Sequence, residues 1–170
     1  VRGYVPDQDI TAPWWASKAE DWWKLAAEND FWQGGFVWTG FDYRGEPTPY
    51  KWPNVYSHFG IIDVCGFPKN IYYYYKSWWT DEDVIHISPH WNWNEKIGQP
   101  IEVWVNSNAD DVELFLNGKS LGKKTMPRNS HLKWEVTYEP GTLEAIGYKK
   151  GKKISTKVET TSTPYKLIAT

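Results

Sequence analysis

Cysteine is nearly absent: Cys65 stands alone among 170 residues, so no intramolecular disulfide can form and the redox compartment stays open. No Cys/His cluster has the spacing of a structural zinc site, and neither a metal nor a cofactor is expected. The longest apolar stretches are far too short to span a bilayer and no signal peptide opens the chain, so membrane insertion is not expected. Net charge is only −2, with basic residues scattered apart from a short run near Lys149 to Lys153, which offers no groove for nucleic acid. Val1 in place of a start methionine suggests a fragment or a processed chain.

What the chain has in excess is aromatic side chains, 18% of residues with 13 Trp and 11 Tyr, far above the need of a small core. The C–H face of a pyranose is weakly apolar and electropositive, so it stacks on the negative π-face of Trp or Tyr while its hydroxyls bond elsewhere. Such an excess points to sugars. For any single Trp, packing in a core or an interface is the competing reading.

From Thr11 to Asp30 the sequence reads as an entry turn and an amphipathic helix, with Pro13 near its start and Ser17 to Glu20 matching a capping box. Trp15, Ala19, Trp22, Trp23 and Ala26 fall on one helical face. After Gly34 and Gly35, Phe36-Val37-Trp38-Thr39 is a short, non-alternating apolar run, as expected of a parallel strand buried on both faces. Gly40 to Phe67, dense in Gly, Pro and polar residues, then forms a long loop of the kind that carries function at the C-terminal end of a strand. Ile71 to Trp79 fits a helix by its spacing, with a strand of consecutive tyrosines as the alternative.

Beyond Thr80 the period changes to two: Val84, Ile85 and Ile87; Ile101, Val103 and Val105; Val112, Leu114 and Leu116; Leu132, Trp134 and Val136; Leu143 and Ala145; then Ile154 and Val158. Asn117-Gly118 and Lys150-Gly151 separate alternating runs, and Asn-Gly suits a tight hairpin whose two central residues need positive φ. Several short strands at this spacing indicate an immunoglobulin-like sandwich, without the antibody Cys pair. The boundary falls near Thr80 to Asp83, with no long linker, so the two parts are expected to pack together.

Candidate binding residues cluster in the loop. Trp38 ends the expected strand, where the chain enters the loop, and plain packing is its rival role. Asp42 and Glu46 lie four apart; they can serve a sugar, or accept backbone N–H bonds and hold the turn. His58 and Asp63 are further candidates for sugar hydroxyls, and Trp52, in a Trp-Pro pair, is either a pocket wall or an anchor. Trp91 and Trp93 share one strand face through a spacing of two, which makes either a sugar platform or a surface buried against a neighbouring domain.

The string from Gly34 to Tyr50, GGFVWTGFDYRGEPTPY, closely resembles the last barrel strand and loop of glycoside hydrolase family 2 β-galactosidases. The likeness runs on through Trp52-Pro53, Phe59-Gly60-Ile61-Ile62-Asp63 and Gly66-Phe67-Pro68-Lys69 into the Tyr-rich segment. Pro89-His90-Trp91-Asn92-Trp93 and the stretch Val112 to Lys119 resemble the sandwich domain that follows the barrel. The fold this resemblance implies is an α/β remnant, the last helix-strand-helix of a (β/α)8 barrel over residues 1–79, followed by an all-β immunoglobulin-like sandwich over 80–170.

The implied chemistry is retaining hydrolysis of terminal β-galactosides by two glutamates, an acid/base in the fourth barrel strand and a nucleophile in the seventh. By the resemblance both precede Val1, since Arg2-Gly3-Tyr4 lies shortly after the nucleophile's strand. No catalytic residue is therefore expected in this chain, and alone it should be inactive. Trp38, Asp42, Glu46 and Trp52 are expected to bind substrate, with Trp38 as the floor of the galactose pocket. The expected partners are a β-galactoside-containing carbohydrate and the rest of the parent enzyme, with a homo-oligomer also open, and the expected location is secreted or periplasmic in a bacterium. The alternative is a non-catalytic carbohydrate-binding or interaction module. Such a module has no reason to keep a helix and strand that only make sense inside an eight-fold barrel.

Overall fold

The alternating segments become seven strands: β1 Ile85–Ser88, β2 Pro100–Ser107, β3 Asp111–Leu116, β4 Lys119–Thr125, β5 Leu132–Thr137, β6 Thr142–Lys149 and β7 Lys152–Glu159. The structure is a computed structural model that describes residues 14–48 and 50–162. Two antiparallel sheets, ordered β1-β2-β5 and β4-β3-β6-β7, close over one core as a β-sandwich. Compared with the antibody constant-type order, the fourth strand pairs with the third instead of edging the first sheet. Burial follows the period of two: in β3 and β5 every second residue is buried, placing Val112, Leu114 and Leu116 opposite Leu132, Trp134 and Val136 in the shared core. Each such side chain contributes about 1.5–3 kcal/mol by leaving water.

Both expected hairpins form. Asn117 and Gly118 have φ of 50° and 79°, and Lys150 and Gly151 have φ of 47° and 81°, so each two-residue turn carries the positive φ pair that matches strand twist. Asn117 also donates to the Pro140 carbonyl at 3.2 Å and accepts from Thr142 N at 2.9 Å, tying one sheet end together. Strand β4 was not legible as a strand by alternation. It is an edge strand, Lys-rich and exposed, and only Leu121 leans on the core.

Within the expected turn and helix of Thr11–Asp30, of which Thr11 to Pro13 lie outside the described residues, helix α1 covers Ala19–Ala27. Its capping box does not form: Lys18 occupies the N-cap without a side-chain bond, and Glu20 turns instead to Ser130, His131 and Lys24. Trp15 precedes the helix and is exposed, while Ala19, Trp22 and Trp23 face inward. Helix α2, Asn70–Trp79, settles the Tyr-rich segment as helical. Its four tyrosines fall on different faces, and Tyr74 and Tyr75 are the buried pair. The two helices meet through Trp22 Nε1–H donating to Tyr75 Oη at 3.0 Å and through edge-on contacts of Trp79 with Trp22 and Trp23.

The helices also dock on the loop between β4 and β5. Tyr74 Oη donates to Asn129 O at 2.8 Å, Trp78 Nε1 to Ser130 O at 3.1 Å and Trp23 Nε1 to Asn129 Oδ1 at 3.2 Å. Packing between the two halves thus rests on aromatic N–H and O–H groups reaching loop carbonyls, as large amphipathic side chains do when their rims must be satisfied.

Two expectations fail. Phe36-Val37-Trp38-Thr39 is not a buried strand: Phe36 is fully exposed and Trp38 largely so. Among the described residues no strand flanks it on both sides, and only Val37 of the run packs against the cluster of Ala19, Tyr74 and Tyr75. Trp91 and Trp93 do not lie on a strand either, but in the connection between β1 and β2. Trp91 is 0% exposed inside the sandwich's own core, its Nε1 donating to Glu139 O at 3.0 Å, whereas Trp93 stacks on His90 with Lys96 over its ring. The spacing of two does not report a shared strand face here, because β1 ends at Ser88 and the chain bends at Pro89.

Candidate functional site

The loop from Trp38 to Lys69 is organised by a segment that pairs on both sides of itself. Residues 39–42 run parallel to 59–62, through Thr39 N to Phe59 O (3.1 Å), Ile61 N to Thr39 O (3.0 Å), Ile62 N to Gly40 O (3.0 Å) and Asp42 N to Ile62 O (2.9 Å). The following residues pair antiparallel with 55–57, through Ser57 N to Tyr43 O (2.8 Å) and Gly45 N to Val55 O (2.8 Å). Gly60 is required at the crossing: a Cβ there would lie 2.1 Å from Asp42 N and 2.4 Å from the Phe41 carbonyl carbon.

Asp42 braces this crossing. Its side chain is 7% exposed, and its oxygens accept Gly60 N–H at 2.7 Å and pair with Lys69 Nζ at 2.8 Å. The ion pair links the start of the loop to the residue that caps α2. Asp63 is likewise taken up by its own turn, its Oδ1 accepting from Cys65 N and Phe67 N at 2.8 and 2.9 Å. His58 Nε2 accepts from Asn54 Nδ2 at 2.9 Å, and burial pushes the imidazole pKa down, which favours the neutral ring.

Trp38 and Glu46 are joined through Tyr43. The Trp38 indole N–H donates to Tyr43 Oη at 3.2 Å, and that hydroxyl donates to the Glu46 carboxylate. Trp38 is 72% exposed yet held by a specific hydrogen bond, unlike an apolar side chain left over at a surface. The Trp38–Thr39 peptide is cis, as is Trp52–Pro53. Trp52 is 83% exposed and makes no ring contact among the described residues. Of the four expected binding residues, then, Trp38 and Glu46 are brought together, Asp42 lies behind them in the loop's frame, and Trp52 stands apart.

Sequence reasoning passed over Tyr43, Ser57 and Lys69. Tyr43 had a local signal, lying between Trp38 and Glu46 with spacings of five and three. Lys69 had none, since its carboxylate partner is 27 positions away. A concavity of about 350 Å³, away from this loop, lies between the helices and the sandwich and includes Lys18, Asp21, Trp104 and Lys133. Within it Glu20 binds Lys24, Ser130 and His131, while the Trp104 ring stacks on His131 and has Lys133 Nζ over it. Among the described residues no group of His, Cys, Asp or Glu could hold a metal ion, and no helix is long and apolar enough to cross a membrane.

Residues 98–155, from just before β2 into β7, match the family described as a domain of unknown function, DUF4982. Over 145 residues the chain is 52% identical to the β-galactosidase BoGH2A of Bacteroides ovatus, covering 84% of this chain and 17% of that protein. A solved glycosyl hydrolase family 2 member from Bacteroides cellulosilyticus superposes with TM-score 0.76 at 30% identity, over 86% of this chain and 24% of that one. Over most of its length the chain is similar to a segment of glycoside hydrolase family 2 enzymes. Other relatives carry different names: a putative β-glucuronidase of Formosa agariphila is 44% identical over 156 residues, covering 88% of this chain and 15% of its own length. A β-glycosidase from Bacteroides vulgatus superposes with TM-score 0.81 at 39% identity, over 87% of this chain and 19% of that one. The chain spans less than a quarter of each of these relatives.

Proposed function

We propose that this chain forms one wall of the substrate pocket of a retaining family 2 glycosidase acting on terminal β-galactosides, with the sandwich as its accessory domain. In this reading α1, the segment around Trp38 and α2 are the last helix-strand-helix of a (β/α)8 barrel, and the sandwich begins near Thr80. The two catalytic glutamates come from other barrel strands of the parent enzyme, so the 170-residue chain by itself is inactive. Trp38 floors the subsite of the non-reducing sugar, and Asp42 holds the loop that presents it.

The observation that carries the reading is the exposed Trp38 indole, fixed through Tyr43 to Glu46 on a loop locked by its own hydrogen bonds. A largely exposed indole held in place suits the apolar C–H face of a pyranose. Glu46 also bears on which sugar. A carboxylate next to the platform repels a second carboxylate, and the charge of Lys69 is already balanced by Asp42. A neutral hexoside fits this charge pattern better than a uronide, which favours galactoside over glucuronide.

The test compares aryl β-galactoside and aryl β-glucuronide turnover by the intact enzyme and by Trp38→Ala. The intact enzyme is expected to prefer the galactoside. Losing the stacking contact and its buried area should lower kcat/KM roughly tenfold to thousandfold. Unchanged kcat/KM in Trp38→Ala with a lowered Tm would make Trp38 a packing residue, and a preference for the glucuronide would overturn the substrate.

A further inference from the structure

Tyr43 is anchored in a way that Trp38 is not. Its backbone is bonded on both sides to Ser57, which is fully buried: Tyr43 N–H donates to Ser57 Oγ at 3.1 Å, and Ser57 N–H donates to the Tyr43 carbonyl at 2.8 Å. Its ring meets the indole edge to face, with centroids 6.0 Å apart and planes at 78°. Glu46 has a left-handed backbone, φ 49°, and its carboxylate accepts a hydrogen bond from the phenol O–H of the residue three positions earlier. The interior thus holds Ser57, Ser57 holds Tyr43, and Tyr43 holds the exposed indole. Without that last link, Trp38 would be free to leave its rotamer well, and sugar binding would then have to order it at an entropic cost.

We propose that Tyr43 is a positioning residue that fixes the plane of the Trp38 indole against the sugar, with Glu46 holding the phenol proton so that the oxygen's lone pair faces the indole N–H. The proposal rests on the reading of Trp38 as a sugar platform. A phenol that donates to Glu46 has one oxygen left to accept with, and the indole N–H can only donate, so the direction of the relay is fixed. The bond to Glu46 also raises the phenol pKa above its ordinary value, so the hydroxyl stays protonated near neutrality.

The experiment is a double-mutant cycle in the intact enzyme, with aryl β-galactoside kinetics and Tm measured for Trp38→Phe, Tyr43→Phe and the double variant. Tyr43→Phe should lower kcat/KM roughly threefold to tenfold, the worth of one orienting hydrogen bond. The double variant should be no worse than Trp38→Phe, because a phenylalanine offers no N–H for the phenol to hold. Additive losses overturn the proposal, and so does a Tyr43→Phe enzyme with a lowered Tm but unchanged kinetics. Glu46→Ala is the second arm: it should show a smaller loss that also vanishes in the Trp38→Phe background, and an additive loss there counts against the relay. If Trp38→Ala is itself without effect, the platform reading fails. If Trp38→Ala is severe and Tyr43→Phe inert, only the positioning role fails.

Discussion

The Glu20 carboxylate on α1 accepts a hydrogen bond from His131 Nδ1, across 111 positions of chain, and so fastens the helical part to the sandwich. Partial burial raises the Glu20 pKa, but the bonds from His131, Lys24 and Ser130 outweigh it and hold the carboxyl at about 2, below its ordinary 4.5. A group whose folded pKa is depressed contributes stability above its unfolded pKa and loses it as pH falls through the folded value. The Glu20 contribution should therefore be complete at pH 6 and disappear between about pH 5 and pH 2. After solvent screening of a half-buried group it is worth roughly 1–2 kcal/mol. Thermal melts of the chain and of Glu20→Gln should differ at neutral pH and converge near pH 2. A gap that stays constant across that range would mean that the carboxylate's charge is not the source.

Gly60→Ala should collapse the site's frame. The added Cβ meets backbone atoms of Phe41 and Asp42 at 2.4 and 2.1 Å, and backbone cannot step aside as a flexible side chain can. The cost is expected to be about 3 kcal/mol or more. Hydrogen exchange should show the 39–42 and 59–62 amides losing protection, while β3 and β6 keep theirs. Retained protection at Thr39, Ile61 and Ile62 would show that the two segments can separate without cost.

Trp91→Ala and Trp93→Ala should behave differently despite their spacing. Trp91 fills the sandwich core against Tyr138, with ring centroids 5.0 Å apart, and its removal should cost about 3–5 kcal/mol. Trp93 is only partly buried at the rim of the same core, with His90 and Lys96 against its ring, so its loss should cost less, about 1 kcal/mol. Equal destabilisation in urea melts would mean that Trp93 is as much a core residue as Trp91.

These contrasts mark what could be read from the sequence. The sandwich strands that bury one face were legible because period two reports that burial directly, as in β3 and β5; β4 was not, because an exposed edge leaves no such pattern. Phe36 to Thr39 misled because an apolar run signals a buried strand only if partners flank it. At the site, Trp38 and Glu46 stood out by their place in the loop, and Tyr43 between them was open to the same reasoning. The Asp42–Lys69 pair and the Glu20–His131 pair were not, since each joins residues that only the fold brings together.

Asp42 and Glu46 look alike in sequence, two acids in one loop, but their surroundings predict opposite phenotypes. Asp42→Asn removes the charge that balances Lys69 where both side chains are largely covered, 7% and 19% exposed, and leaves the ammonium with a weaker partner. Breaking such a pair should cost about 2–3 kcal/mol and lower the Tm of a chain this size by roughly 5–10 °C. Activity per folded enzyme should fall only as far as the loop moves. Glu46→Gln sits in an exposed turn, so stability should stay within about 0.5 kcal/mol. Its effect should appear in kinetics, because an amide is a weaker acceptor for the Tyr43 proton than a carboxylate. Melting curves and aryl β-galactoside kinetics on the intact enzyme separate the two. If Asp42→Asn kept its Tm while kcat/KM fell sharply, Asp42 would be touching the sugar itself, and its role as the brace of the loop would have to be given up.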